Sequence, residues 1–184
     1  DSLILYFSMT NTVLVTNITS AGSTHNGCGY FAHSDIIGVS YGTKIFPKFK
    51  AENMRPAHIL KVTPELFTLS IPHKTQIIYH ADISAIMMAL DVKPGVVVAE
   101  AGTGSASLSF SLAYALAPTG KLFTFEIDTE RAKHNFELLN AVIPNVVTLE
   151  QRDIVTDGFP SSIVADAVFL DLPSPWLAVA HAHS

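Results

Sequence analysis

Charge and cysteine are both scarce in this chain. Of its 184 residues, 16 are acidic and 11 basic, or 15% charged, where a soluble domain carries about 25%. No long apolar run accounts for the deficit. Nothing approaches the roughly 18 to 20 uninterrupted apolar residues of a membrane span, and the first residues lack the basic n-region and small-residue cleavage site of a signal peptide. The chain therefore reads as soluble, with no membrane partner. Its single cysteine, Cys28, excludes an internal disulfide and suits a reducing compartment; the sequon Asn17-Ile18-Thr19 is then a chance match. Glycine and proline number only 10 each, while 48% of residues are hydrophobic. Disorder, collagen-like repeats and low complexity are excluded, and a real core is expected.

The formal charge of −5 argues against a nucleic-acid partner when taken globally, because phosphate binding is driven by Lys and Arg. Its distribution argues the other way. Lys44, Lys48, Lys50, Arg55 and Lys61 share one stretch with a single acid, Glu52, making it locally +4 and the remainder −9. Phe46 and Phe49 interleave with these cations. The pattern fits either an ordinary solvated loop or a patch that contacts a nucleic-acid backbone.

Two regions differ in texture. Ile4 to Phe7, Thr12 to Asn17, Gly29 to His33 and His58 to Val62 are rich in β-branched and aromatic residues. Between them stands turn chemistry: Ser23, Asn26, Gly27, Gly29, Gly38 and Gly42. Residues 1–80 thus predict a small antiparallel β domain. From residue 81 the period changes. Asp82 is placed to cap a helix over Ile83 to Leu90, and Pro94-Gly95 turns the chain into an apolar run. Short apolar strands are expected at Val96 to Glu100, Leu122 to Glu126, Val146 to Leu149 and Ala167 to Asp171. Helices are expected at Ser107 to Ala117 and Thr129 to Val142, with another beginning at Trp176. Continuous apolar strands alternating with helices predict an α/β fold with a parallel sheet, here of four strands, over residues 81–184.

The segment Glu100-Ala101-Gly102-Thr103-Gly104-Ser105-Ala106-Ser107 joins the first of these strands to a helix. At such junctions glycines let the backbone approach a ligand, and the helix start offers free N–H groups. A dinucleotide fingerprint requires a third glycine three positions after Gly104, where Ser107 stands. The form E-x-G-x-G-x-A better fits S-adenosylmethionine, which brings no pyrophosphate and carries sulfonium and ammonium charges that acids can face. Glu126 ends the second strand, where a carboxylate can accept ribose hydroxyls. Asp153 follows the third, within reach of an adenine amino group, and Asp171 ends the fourth, facing the methyl. Four strands whose ends carry an acid at one sheet edge are hard to attribute to chance.

Asp171-Leu172-Pro173-Ser174-Pro175-Trp176 adds a substrate-like feature. Two prolines stiffen the loop, so an Asp oxygen can accept from an exocyclic amino group while Trp176 or a proline face packs the ring of an extruded base. The eight histidines suggest no metal site. His181 and His183 sit two apart with no cysteine or acid near them, and His73 and His80 flank the Gln76 segment as ordinary hydrogen-bonding residues.

These motifs together resemble the catalytic subunit of the tRNA (adenine-58-N1)-methyltransferases, in its eukaryotic branch. The resemblance rests on Gln76-Ile77-Ile78-Tyr79 with Asp82, Glu100 to Ser105, Thr124-Phe125-Glu126, Arg131-Ala132, Arg152-Asp153 and Phe169 to Trp176. It extends to Thr63 to Leu69, Pro72 to Gln76 and His33 to Gly38, covering about residues 29 to 182. It implies a Rossmann-like class I S-adenosylmethionine-dependent methyltransferase domain, cut after its first four strands, preceded by the small β domain. The implied cofactor shell is Ile78, Glu100, Gly102, Gly104, Ser105, Ala106, Ser107, Leu108, Glu126, Arg131, Asp153, Ile154 and Asp171, with Asp171 also catalytic. The implied tRNA contacts are His25, Cys28, Gly29, Tyr30, Arg55, Gln76, Tyr79, His80, Leu170 and Pro173. Ala106 stands where the family usually has glycine and is expected to narrow the space beside the methionine moiety; Leu177 replaces a common glutamate.

The resemblance further implies a nuclear protein, otherwise cytoplasmic, acting with a non-catalytic homologous subunit, two of each, or self-associating as bacterial members do. Two other readings stay open from the residues: a non-catalytic, RNA-binding partner subunit, and a class I methyltransferase acting on another amine. The first has no physical need of Glu100, Gly102, Gly104, Glu126 and Asp171, all of which are present.

Overall fold

The computed structural model describes residues 2–7, 12–48, 54–72 and 75–182. Phe49, Lys50, Glu52, His73 and His183, singled out above, lie outside them. The chain divides into two compact units, Asp1–Ile71 and Pro72–Ser184.

The first unit contains β1 (Leu3–Tyr6), β2 (Thr12–Val15), β3 (Ser23–Asn26), β4 (Gly29–Ala32), β5 (Lys44–Ile45), β6 (Ala57–Leu60) and helix α1 (Pro64–Ser70). Four strands form an antiparallel sheet in the order β2-β1-β6-β5, and β3 pairs with β4 as a separate hairpin. Ala57 and Ile59 turn one face of β6 into a core with Leu3, Leu5, Phe7, Val15, Phe31 and Ile36. Within it the rings of Phe7 and Phe31 meet edge to face at 5.4 Å, the arrangement their quadrupoles favour. His33 is a buried polar residue of this unit. The Thr19 N–H donates to its Nδ1 at 3.4 Å, which fixes the ring proton on Nε2 for donation to Thr24 Oγ1 at 2.9 Å. Helix α1 starts where Thr63 Oγ1 accepts from Leu66 N at 3.4 Å and Pro64 opens the first turn, two start signals that each lower the cost of a helix end.

The second unit contains α2 (His80–Ala89), β7 (Val97–Ala101), α3 (Ser107–Leu116), β8 (Lys121–Glu126), α4 (Thr129–Val142), β9 (Val147–Gln151), α5 (Ile154–Asp157), β10 (Ala167–Leu170) and α6 (Val179–Ala182). Its strands are all parallel, in the order β10-β7-β8-β9. Two expectations need correcting. Helix α2 starts at His80, so Asp82 lies in the first turn and is not the cap. The unit also begins at Pro72, not at residue 81, because the segment before α2 is tied to the start of α3. Thr75 N donates to Ser105 Oγ at 3.2 Å and Ser107 Oγ donates to the Ile78 carbonyl at 3.0 Å.

Helix α3 helps explain the missing charge. Every residue from Ser107 to Ala113 is buried, so no position on that stretch can carry an ion cheaply. Its serines are tolerated because each hydroxyl has a partner: Ser109 donates to Glu100 Oε2 at 2.6 Å and Ser111 to the Ser107 carbonyl at 3.0 Å.

Candidate active site

Strand order decides where the site lies. From central β7 the chain winds outward through β8 and β9, then returns to add β10 on the other flank of β7. That reversal opens a crevice beyond the carboxyl ends of β7 and β10, the place where ligands bind in open α/β sheets. A cavity of about 730 Å³ occupies it.

The turn after β7 forms its floor. Gly102 has φ +99, and a Cβ there would lie 2.2 Å from the backbone oxygen of Asp171. Gly102 N and Thr103 N both donate to the Phe125 carbonyl, at 2.9 and 3.2 Å. Gly104 N donates to Glu126 Oε2 at 3.1 Å, while its carbonyl accepts from Asn135 Nδ2 at 2.9 Å. The loop is thus held between β8 and α4. Asn135, buried on α4, and Thr75, whose hydroxyl shares a 2.8 Å bond with Ser105 Oγ, are supports that sequence reasoning missed. Neither belongs to the glycine pattern, and only the helical register of α4 hints at an inward Asn.

Ala106 behaves differently from the expectation. It is fully buried, adopts left-handed φ 66°, ψ 12° and is not among the residues lining the cavity. The demand for glycine at this position comes from backbone conformation, not from space beside a ligand.

Of the expected cofactor residues, Ile78, Glu100, Gly102, Gly104, Ser105, Ser107, Leu108, Glu126, Arg131, Asp153, Ile154 and Asp171 all line the cavity. The acids have distinct environments. Glu126, almost fully buried, accepts at Oε1 from Asp128 N (3.1 Å) and Arg131 Nη2 (2.7 Å) and at Oε2 from Gly104 N. Three of roughly four acceptor positions on the carboxylate are therefore filled by the protein, which leaves less room for ribose hydroxyls than the sequence suggested. The Glu126 hydrogen bond in turn raises the Arg131 pKa, and Arg131 Nε is buried without a hydrogen-bond partner. Asp153 caps α5, accepting from Val155 N and Thr156 Oγ1 at 2.9 Å each. Asp171 follows β10, its N–H donating to the Ala101 carbonyl at 2.9 Å; partial burial raises its pKa above the ordinary value.

Glu100 lies deepest. Ser109 and Thr124 both donate to its Oε2 at 2.6 Å. Because the Thr124 proton is directed at Glu100, the 2.7 Å bond between Thr103 and Thr124 must have Thr103 as donor. Burial, the largest cause, pushes the Glu100 pKa up to about 7; the two hydroxyl bonds oppose the shift, and the charges of Asp171 and Glu126 add to it.

The expected substrate residues divide. Gln76 and Pro173 line the cavity. Tyr79 is exposed, and His80 Nε2 is buried without a partner. Leu170, partly buried, packs against the apolar cluster of Ala101, Phe125, Ile154 and Ala178. Trp176, expected to be held against a ring, is 67% exposed and does not line the cavity; Leu177 does. In the first unit, His25 and Tyr30 meet edge to face at 4.9 Å. Cys28 packs against the core, and its carbonyl accepts from Arg55 N at 3.1 Å. At Gly29 a Cβ would lie 2.5 Å from Pro47. In the basic stretch, Lys48 pairs with Asp35 at 3.2 Å, while Lys44 Nζ stands 5.5 Å from the centroid of the exposed Phe46 ring. Among the described residues no cluster of three or more His, Cys, Asp or Glu could hold a metal ion, and no helix is long and apolar enough to cross a membrane.

Comparison with known proteins bears on this geometry. The profile of the family described as tRNA methyltransferase complex GCD14 subunit matches residues 56–184. Relatives named tRNA (adenine(58)-N(1))-methyltransferase catalytic subunit TRM61 are 40% identical over 99% of the chain in Cryptococcus neoformans and Candida albicans, of which the match covers 41% and 54% respectively. The chain thus spans about half the length of these relatives. Among solved structures, a SAM-dependent O-methyltransferase from Thermotoga maritima superposes with TM-score 0.76 at 29% identity, over 99% of this chain and 66% of that one. The tRNA (m1A58) methyltransferase TrmI from Aquifex aeolicus superposes with TM-score 0.70 at 25% identity, over 100% and 69%.

Proposed function

Since the chain belongs to the tRNA methyltransferase complex GCD14 subunit family, we propose that it is the catalytic part of an enzyme that methylates N1 of adenosine 58 in the T-loop of tRNA. The methyl donor in this reading is S-adenosylmethionine. The observation that carries it is the ring of carboxylates, Glu100, Glu126, Asp153 and Asp171, around the glycine turn in one cavity.

The residues present suit that donor. The glycine turn of Gly102 and Gly104 lines the cavity, the acids complement a ligand bearing two positive groups, and Arg131 Nε is a buried donor still lacking an acceptor. When bound, S-adenosylmethionine supplies an electrophilic methyl on a positively charged sulfur. Glu126 and Asp153 would hold its ribose and adenine ends, and Ile78, Leu108 and Ile154 would give apolar walls.

Asp171 has the catalytic role. Its carboxylate accepts from the N6 amino group of adenine, fixes the ring with N1 toward the donor and stabilises the positive charge that develops on the base. The N1 lone pair needs no strong base to activate it, so orientation and electrostatic complementarity are the main resources. N1 lies on the pairing edge, so the adenosine must leave its stack. Pro173 borders the same space, and Gln76, Tyr79 and His80, with His25, Cys28, Gly29, Tyr30 and Arg55 of the first unit, would contact the tRNA.

In this reading the protein works in the nucleus with a non-catalytic homologous subunit, two copies of each. The test is to incubate the full-length protein and that subunit with unmodified tRNA and S-adenosylmethionine, then map reverse-transcription arrest. A stop at adenosine 58, lost when the donor is omitted, supports the reading. Methylation of another amine, or none, overturns it.

A further inference from the structure

The cavity collects acids without collecting bases to match. Arg131 is committed to Glu126. Arg152, the other cation on the wall, is directed to the Gly158 and Asp157 carbonyls and to Glu150. Glu100 and Asp171 are left as neighbours at the ends of paired strands, since Glu100 is in register with Phe169 and Asp171 bonds to Ala101. Of the two, Glu100 is 1% exposed and so has no water to screen a charge.

We propose that Glu100 carries a proton in the ligand-free protein and releases it to solvent when a cationic ligand enters the cavity, so that cofactor binding and proton release are one coupled event. The proposal rests on the S-adenosylmethionine reading above. Its balance is simple: the neutral carboxylic acid and the cationic ligand become a carboxylate facing that cation, and one proton passes to the buffer.

The surroundings are built for both forms. The groups packed on Glu100 are Ser109 from α3 and Thr124 from β8, neither of which titrates in the working range. The charges acting on it are Asp171 after β10 and Glu126 at the end of β8, both negative. With burial, they hold its pKa near neutrality, at about 7. The hydroxyl protons of Thr103, Thr124 and Ser109 already run toward Oε2, so the carboxylate is stabilised as soon as it forms and no side chain has to reorient. A ligand cation then acts as the missing countercharge.

Isothermal titration of S-adenosylmethionine into the full-length protein at pH 7, in two buffers of different ionisation enthalpy, reads the proton count directly. Wild type is expected to release about half a proton more per bound cofactor than Glu100→Gln. Its Kd should fall several-fold from pH 6 to pH 8 relative to that variant. Ser109→Ala, which removes one bond favouring the carboxylate, should move the midpoint of proton release to higher pH, and it serves as the test if Glu100→Gln does not fold. Binding by wild type with no excess proton release, or with a midpoint unmoved in Ser109→Ala, overturns the proposal while leaving the cofactor reading intact. No binding at any pH overturns the cofactor reading and this proposal with it.

Discussion

Gly102 and Asp171 touch through their backbones: a side chain added at Gly102 would place its first carbon 2.2 Å from the Asp171 carbonyl oxygen. The turn after β7 and the loop after β10, which carry the two halves of the site, are therefore fitted against each other with no space for even a methyl group. Gly102→Ala should cost roughly 2 kcal/mol or more of stability, combining a φ of +99° with a clash against backbone that cannot move aside. Chemical denaturation of the full-length protein checks this. An unchanged midpoint would mean that the two loops are not fitted as described.

Ala106→Gly tests the opposite case. The left-handed conformation costs an L-residue about 1–2 kcal/mol, and the buried methyl returns about 0.8 kcal/mol. The variant should gain roughly 0.5–1 kcal/mol. Because Ala106 does not line the cavity, its cofactor affinity should stay at the wild-type value in the same titration.

Glu126→Gln should damage both fold and site. The amide would turn an N–H₂ toward Gly104 N or toward Asp128 N and Arg131, all of them donors. An unsatisfied buried donor costs about 1–3 kcal/mol. Cofactor Kd should rise at least about tenfold, since the loop held by Gly104 and the cavity wall formed by Arg131 are displaced together. Thermal unfolding and equilibrium binding read the two effects separately.

Asp171→Ala should lower the methylation rate by at least about 100-fold, the usual loss on removing a group that stabilises transition-state charge, while cofactor binding is partly kept. The raised pKa of Asp171 carries a sign: the carboxyl takes up its proton at higher pH than an ordinary aspartate. The acid limb of the kcat/KM profile, which reports the free enzyme, should therefore lie above that of an ordinary aspartate, and the residual activity of Asp171→Ala should lack that limb.

Stability of the ligand-free protein should also depend on pH through Glu100. Its native pKa of about 7 lies above the value of 4.5 for a free glutamate, so the native state binds the proton more tightly than the unfolded state does. The stabilisation is complete below about pH 4.5 and is lost as pH rises through about 7, a change on the order of 3 kcal/mol. Glu100→Gln should remove this slope and be at least as stable as wild type at pH 8. A pH series of denaturation midpoints decides it.

Much of this was legible in the chain itself. Apolar runs at Val96 to Glu100, Leu122 to Glu126 and Ala167 to Asp171 read as strands of a covered sheet, and the helices between them make such a sheet parallel. The acids at the strand ends then converge because parallel strands share one carboxyl edge. Glu100, Glu126 and Asp171 are accordingly legible in the sequence. The first unit was harder: β3 and β5 carry Ser23, His25, Asn26 and Lys44, residues with little strand character, and exist because β4 and β6 offer them hydrogen-bonding edges.

The sequence by itself determined the class of fold, the edge where the site lies and the acids that furnish it, since periodicity and strand-end position are local properties. Tertiary structure alone decided what those groups are free to do. It spent most of Glu126 on Gly104, Asp128 and Arg131, left Leu170 and Trp176 out of the cavity lining, and assigned Ala106 a conformational task in place of a ligand contact. It also sealed Glu100 from water among Ser109, Thr124 and two other acids. Hydrogen-bond saturation and desolvation depend on partners that lie 9 and 24 residues away from Glu100, so no local reading of the chain could have supplied them.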